Sequence, residues 1–464
     1  MKEKSSQYVP FAERMRSAGL PERFIDNFAH YYGQLLAGDD GLIPESAIQP
    51  VKGLVDAETF TDALAGAGTR ALRHTVAIKL NGGLGTSMGL TAAKSLLIVK
   101  EGLTFLDIIA HQVLCAGVPL LLMNSFATDA DSLAVLRRYP ELATPDLSLS
   151  FVQHKQPKVT VDGLSPAVWP EDPELEWCPP GHGDLYIALV TSGMLARLLA
   201  RGIEYAFVSN ADNLGATLDL GILGYFASER IPFLMEVADR TPSDRKGGHL
   251  ACRRDGRLVL RELAQCPEAD RDAFQDISRY RYFNTNNLWL HLPTLARVME
   301  EQDYFLGLPM IRNLKTVDPR DKASPKVYQL ETAMGSAIAV FEGAQAVRVP
   351  RSRFAPVKKT DDLLAVRSDA YRLTEHYRIE LAPERGNVPP VVQLDPECYG
   401  LIDEMDARFP HGAPSLLQAR SFQVKGDFRF GCGVVARGDV RLENAGPEQK
   451  LVPDGIVLED ETWP

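Results

Sequence analysis

Three textures of apolar and polar positions succeed one another along the chain. From about residue 8 to 70, apolar positions step by three or four: Phe11, Met15 and Leu20 come first, then Phe24, Phe28, Tyr32 and Leu35–Leu36. That is the period of one helix face. A helical N-terminal segment is expected over 1–70, broken by the Gly- and Pro-containing stretch GDDGLIPESAIQPVKGL. From about 74 the runs shorten to strand length: HTVAIKL, VPLLLMNS, LSLSFVQ, EYAFVSN and PFLMEVA. Several are apolar throughout, as strands covered on both faces are. Helical patterns such as SGMLARLLARG, ending at Gly202, lie between them. Such alternation predicts an α/β core with a mostly parallel sheet, taken as 71–385. The tail, 386–464, is made of short Gly-punctuated β segments without helical period. Val424 and Phe430 are six apart, as are Val434 and Val440. That spacing suits the coils of a β-solenoid as well as an ordinary small sheet.

Composition narrows the class. A chain of 464 residues, 45% apolar and 24% charged, can bury a large core without staples. Its formal net charge of -11 lacks the footprint of a nucleic-acid binder, so any phosphate chemistry must rest on a few local cations. Six cysteines with no C-x-x-C pair read as reduced thiols, not zinc ligands. The charged N-terminus is no secretory signal, and no apolar run reaches transmembrane length. The expected location is the cytoplasm, away from membranes and nucleic acid.

Five segments carry candidate chemistry. KLNGGLGTSMGLTAAKS, Lys79 to Ser95, follows an apolar strand, so its glycines are expected at a strand-to-helix turn. Such a turn offers backbone N–H groups to a phosphate, and Lys94 is the nearest downstream cation. Ala93 stands where a Walker A loop needs Gly. A dinucleotide fold would want an acid at a strand end near Asp107, but TFLDII has a helical pattern. PPGHGDLY places His182 in a stiff loop before a helical stretch. EYAFVSNADNLGATLD runs a buried strand into Asp212, at the strand end where α/β folds bind ligands. A carboxylate there suits Mg²⁺ carried by phosphates, or simply caps the next helix. YFNTNNLWL leads into a strand with three asparagines, whose amides suit sugar hydroxyls. VPRSRFAPVKKTDDLL gathers Arg351, Arg353, Lys358 and Lys359 in an acidic chain.

In this order, LNGGLGTSMG, LLLMNSF, PPGHGDLY, VSNADNLGATLD, KGGHL, FNTNNLW, QLETAMGSAI and VPRSRFAPVK resemble the eukaryotic-type UTP–glucose-1-phosphate uridylyltransferases, the UDP-glucose pyrophosphorylases. The resemblance covers about 8 to 460. It implies a Rossmann-like nucleotide-binding core between a helical N-terminal segment and a C-terminal left-handed β-helix. It also implies a Mg²⁺-dependent reaction of UTP with glucose 1-phosphate, giving UDP-glucose and pyrophosphate. By position, Leu80, Asn81, Gly82 and Gly83 resemble the loop holding uridine and triphosphate, and Lys94 the phosphate-binding lysine. Gln153 and Gly181 resemble uracil contacts. His182 matches the residue at the sugar phosphate, and Asn210 a sugar contact. Gly248, Glu262 and Asn286 resemble further sugar contacts. Asp212 resembles the Mg²⁺ ligand, and Lys358 the catalytic lysine; Lys94 is expected to share the neutralising of the phosphates, and Lys359 adds a second cation beside Lys358. Three features depart from the pattern. Ala92–Ala93 replace a usual Gly-Pro, Lys359 replaces a usual threonine, and the tail stops soon after VPDGIVLED. Relatives use that tail for self-association, so the early stop leaves both a homo-oligomer through the C-terminal domain and a monomer open. Alternatives are a UTP-dependent pyrophosphorylase for another sugar 1-phosphate (N-acetylglucosamine or galactose), a silent nucleotide-sugar binder, and, further off, a nicotinamide oxidoreductase.

Overall fold

The computed structural model describes residues 6–386, 388–460 and 462–463. The apolar runs become the strands of one large sheet: β1 (Val55–Asp56), β2 (Thr75–Asn81), β3 (Leu120–Asn124), β4 (Ser150–Val152), β5 (Tyr205–Asn210), β6 (Phe233–Asp239), β7 (His249–Arg253), β8 (Leu258–Arg261), β9 (Tyr282–His291) and β10 (Gln345–Arg348). Its main path runs β1-β10-β6-β9-β5-β2-β3-β4. Every neighbouring pair on that path is parallel except those made by β9, which runs antiparallel to both β5 and β6. β7 and β8 extend the sheet from β9 as an antiparallel hairpin. All five residues of β3 are buried, as are all but Leu80 in β2, because helices cover both faces. The parallel alignment places Leu80 opposite Asn210 and Asn81 opposite Asn124. The loops leaving β2, β3 and β5 therefore open at one end of the sheet, where ligands bind in such folds.

The N-terminal segment is less purely helical than its period predicts. Helices α1 (Val9–Ser17), α2 (Glu22–Leu36) and α3 (Asp62–Leu72) are present, but Ile48–Pro50 pairs with β7, and β1 pairs with β10. Strands of two or three residues leave no period to read; they form because an edge strand offers unpaired N–H and C=O groups. Phe11, Phe28 and Tyr32 share one core with Val76, Ile78 and Val208 of the sheet. The segment is thus packed into the core, not laid over it. The expected helix SGMLARLLARG runs Met194–Ala200, with Gly202 at φ 72° closing it.

Two further expectations change. No α-helix follows the glycine loop directly: after Asn81 come the single turns Thr86–Met88 and Lys94–Leu96, and the next α-helix, α4, is Phe105–Ala116. Positive φ at Gly85 and Gly89 bends the chain too sharply for an immediate helix. The asparagines of YFNTNNLWL lie inside β9, at an irregularity in its pairing with β6 between Glu236 and Val237. Asp107 sits in α4, capping its first turn with Thr104 and binding Arg138 and Tyr139. A structural carboxylate of that kind leaves nothing for a dinucleotide ribose.

Among the described residues of the tail, every strand pairing is parallel. Val391–Leu394, Ser415–Lys425, Val435–Glu443 and Val457–Glu459 follow one another in one ladder, and Phe428–Phe430 pairs with Lys450–Val452 in a second. Phe422, Phe428, Phe430 and Val440 pack into a core that also takes Met88, Val99, Leu214 and Val357. Among the described residues, no single helix is long and apolar enough to cross a membrane.

Candidate active site

The glycine loop leaves β2 with one side chain fixed inward. Asn81 Nδ2 donates to Asn124 Oδ1 and Ser132 Oγ, each at 2.8 Å, which fixes the side-chain amide nitrogen inward. Gly82 lies against Gln153: a methyl group on it would come 2.8 Å from Nε2. The space beside Gly83 is open, and its carbonyl accepts the Lys94 N–H at 3.1 Å, which closes the loop on itself. Gln153 is positioned from behind. The buried carboxylate of Asp184 accepts from the His154 N–H at 2.7 Å and lies 2.8 Å from His154 Nδ1. The His154 ring stacks on Phe24 of α2 at 4.1 Å. Asp184, the last residue of GHGD, thus holds the residue next to Gln153.

Across the loop, Lys94 Nζ stands 2.7 Å from Asp212 Oδ2, with both side chains partly exposed. Asp212 does not cap the next helix; Asp219 does, accepting the Ile222 N–H at 2.9 Å. The Asp212 carbonyl instead accepts the N–H of Val357 at 3.1 Å, and Asn213 bridges to Pro356. Lys358 follows directly, exposed, with its Nζ 5.7 Å from the Phe354 ring centroid. Three sequence segments far apart in the chain therefore bring Lys94, Asp212 and Lys358 to one mouth.

A second cluster forms beside it. A methyl group on Gly248 would lie 2.4 Å from Glu262 Oε2. Asn286, held at φ 58°, accepts from Asn284 Nδ2 at 2.7 Å. Burial pushes the Glu262 carboxyl up, opposed by the charge of Lys358. His182 belongs to the same wall. Its Nδ1 accepts the Met334 N–H at 3.0 Å, and the neighbouring Gly335 faces Asn284 Nδ2 and Leu260. An imidazole whose Nδ1 is an acceptor carries its proton on Nε2. Burial holds its pKa down to about 4, so near neutral pH His182 is an uncharged donor. Gly181, at φ 79°, presses against the Thr332 carbonyl, where a methyl group would come 2.5 Å from the oxygen. Asn210 ends β5 between the two clusters, opposite Leu80.

Behind the mouth lies a buried polar network that motif reading missed. Glu236 of β6 is fully buried and accepts from Arg353 Nε and an Arg353 terminal nitrogen, both at 2.7 Å. It also accepts from Trp289 Nε1 and Asn287 Nδ2. Asn213 joins the loops: its Oδ1 accepts from Ala355 N–H at 2.9 Å, and its Nδ2 donates to the Arg353 carbonyl at 3.1 Å. Lys79, buried in β2, donates to Ser209 Oγ and the Ala216 carbonyl and so clasps both ends of the Asp212 loop. Its burial lowers its pKa to about 7. A signal was available: one Glu in PFLMEVA and one Lys in VAIKL sit inside strands expected to be buried on both faces. Charges placed so must find partners.

Comparison with known proteins gives the family. The family profile described as UTP–glucose-1-phosphate uridylyltransferase matches residues 25–437. This chain belongs to that family. It is a nucleotidyltransferase by that membership. The Saccharomyces cerevisiae UTP–glucose-1-phosphate uridylyltransferase is 42% identical over 390 residues, covering 82% of this chain and 76% of its own. That of Solanum tuberosum is 40% identical over 398 residues, covering 84% and 81%. Among solved structures, a UDP-glucose pyrophosphorylase mutant from Leishmania major in complex with UDP-glucose matches with a TM-score of 0.92 and 46% identity, covering 99% of each chain. A Trypanosoma brucei UDP-glucose phosphorylase structure matches at 0.88 and 45%, also covering 99% of each.

Proposed function

We propose that this protein transfers the uridylyl group of UTP to glucose 1-phosphate, releasing pyrophosphate and UDP-glucose. Family membership supports the reaction. The observation that carries its assignment to these residues is the meeting of Lys94, Asp212 and the Lys358 loop at the carboxyl ends of β2 and β5. Glucose 1-phosphate attacks the α-phosphorus of UTP in line with the departing pyrophosphate. The attacking oxygen is already anionic, so no strong base is required. The barrier lies in bringing anions together and in charge gathering at the α-phosphate, so catalysis is positioning and electrostatic stabilisation. No covalent enzyme intermediate is involved.

Each residue then has a task. The backbone of Leu80, Gly82 and Gly83 cradles the nucleotide, with Gln153 and Gly181 against the base. Lys94 and Lys358 neutralise the entering and leaving phosphates. His182, fixed by Met334, donates from Nε2 to the sugar phosphate. Asn210, Gly248, Glu262 and Asn286 surround the sugar. Asp212 suits Mg²⁺: its carboxylate is partly exposed and already attracts a cation, Lys94. One carboxylate is enough when phosphates supply the other oxygens. When bound, Mg²⁺ would neutralise the triphosphate.

The tail reads as a left-handed β-helix, supported by the wholly parallel ladders in which Phe422 meets Val440 and Val435 meets Val457. It divides from the core near residue 386, and the helical segment from the core near 70. Self-association through the tail and a cytoplasmic location complete the reading. The deciding experiment measures pyrophosphate release with UTP, Mg²⁺ and a panel of sugar 1-phosphates. Release with glucose 1-phosphate above the other sugars is the expected result. No release with it, or preference for N-acetylglucosamine or galactose 1-phosphate, overturns the assignment. Asp212→Asn should remove the response of activity to added Mg²⁺; an unchanged titration overturns the ligand role.

A further inference from the structure

Lys358 stands at a seam between two cores. Val349 before it packs with Phe207 and Trp289 under the sheet, with Phe354 against that cluster. Val357, immediately preceding it, packs instead with Leu363, Phe422 and the rest of the tail-side core. The lysine itself is exposed, and its N–H donates to Asp362 Oδ2 at 2.7 Å, a group on the tail side of the seam. Its side chain has Phe354 as its neighbour on the sheet side. Something must therefore hold residues 350–356 to the sheet, or the lysine would follow the tail-side core.

Arg353 is the buried charged side chain of that loop. Its guanidinium bonds Glu236 through two nitrogens at 2.7 Å and the Thr217 carbonyl at 2.8 Å. Its own carbonyl accepts from Asn213 and Asn287. The Asp212 loop opposite has independent anchors, since Lys79 clasps Ser209 and Ala216, and Ala211 N–H bonds the Leu80 carbonyl. The two sides of the mouth are thus fixed differently. Without the Arg353 guanidinium the Asp212 side keeps Lys79 and the Leu80 carbonyl, whereas the Lys358 side loses its one buried ionic anchor to the sheet and keeps its bonds to the Asp212 carbonyl, Asn213, Asn287 and Asp244.

We infer that Arg353, locked on Glu236, is the positioning residue that sets where Lys358 meets the phosphates at Asp212. Arg353 touches no substrate; it acts through Lys358. A planar fork bound through two nitrogens fixes direction as well as distance, which a point charge does not. The inference rests on the uridylyl-transfer reading above.

A double-mutant cycle tests it. Arg353→Gln with Glu236→Gln replaces the ion pair by two amides and avoids an unpaired buried charge. This pair is compared in the wild-type and Lys358→Ala backgrounds, with kcat, KM for UTP and Tm measured for each. The amide pair should lower kcat by at least ~10-fold while KM for UTP stays within about threefold. In the Lys358→Ala background the same change should lower kcat by less than about twofold, because groups acting as one unit are not additive. Equal losses in both backgrounds, or a loss confined to KM, overturns the inference. Should the amide pair fail to fold, Arg353→Lys runs the same cycle, since it keeps the charge and loses the fork. Wild-type protein without uridylyl transfer would instead remove the reading on which the inference stands.

Discussion

The glycine loop and the basic loop are built differently. The glycine loop, 80–94, is held at points along it: the Asn81 side chain is anchored inward, the Lys94 N–H closes the loop on the Gly83 carbonyl, Met88 packs into the tail-side core, and Gly83 has open space beside it. The basic loop, 349–359, is held by side chains: a buried arginine, two asparagines and a valine in the tail-side core. Between these anchors the first loop leaves the backbone at Gly83 open, and its bulk is confined to Met88 and Leu90 on the tail side. The second must present one long flexible cation, so its base has to be rigid. A lysine tip fixed on a strapped base loses less entropy on meeting a phosphate than one on a loose loop.

Substitutions at base and tip should separate these roles. The largest effect is expected at the base. Glu236→Ala leaves the buried Arg353 charge with only Asp219, 3.9 Å away, and the Thr217 carbonyl, which costs about 3–5 kcal/mol of stability. Denaturant unfolding would read this, and a loss below ~1 kcal/mol would mean the loop is not strapped by this pair. Next comes the tip. Lys358→Ala should lower kcat by ~10²–10³, or about 3–4 kcal/mol of transition-state stabilisation. Its Tm should stay within a degree or two of wild type, because the side chain is exposed. Turnover near normal would remove Lys358 from the mechanism.

Smaller effects belong to the glycine loop. Gly85 has φ 54°, and a methyl group there would come 2.8 Å from Leu90 Cδ1, the movable end of a side chain. Gly85→Ala should cost about 1–2 kcal/mol, mostly from the left-handed backbone. Gly83 meets nothing and needs no positive φ, so Gly83→Ala should change stability by no more than ~0.5 kcal/mol. It should still raise KM for UTP, since a methyl group would stand where the nucleotide approaches; an unchanged KM would place the nucleotide elsewhere. The smallest effect concerns pH. An exposed histidine ionises near 6.5, but His182 is held near 4 by burial. It should add no ionisation to the activity profile between pH 5 and 8, which an NMR titration of its ring would confirm or refute. The sign for stability follows: the unfolded chain binds this proton first, so the His182 contribution is full above about 6.5 and is lost as pH falls towards 4.

The core strands were legible because strands buried on both faces must be apolar along most of their length, as LLLM and AFV are. The glycine loop, Asp212 and the basic loop were legible as motifs for a related reason. Close backbone approach requires glycine, and a charge at the end of a buried strand needs a purpose. Other features were not. β1 and Ile48–Pro50 are too short to have a period and exist because an edge strand accepts them. Arg353 and Arg351 look alike in VPRSRF, yet one is buried on Glu236 while the other is exposed beside Asp244. His182 looks like any loop histidine until the Met334 N–H fixes its tautomer.

The sequence by itself determined which chemical groups are present, the alternation that builds an α/β core, and a family resemblance carried by ordered motifs. Local period and residue type are properties of neighbours along the chain, so they can be read there. Only the tertiary structure decided that Lys94 pairs with Asp212, that the Lys358 loop is bonded to the Asp212 backbone, and that a buried Glu–Arg pair holds it. Those contacts join residues more than a hundred positions apart, and their strength comes from a low-dielectric interior that exists only once the chain has folded.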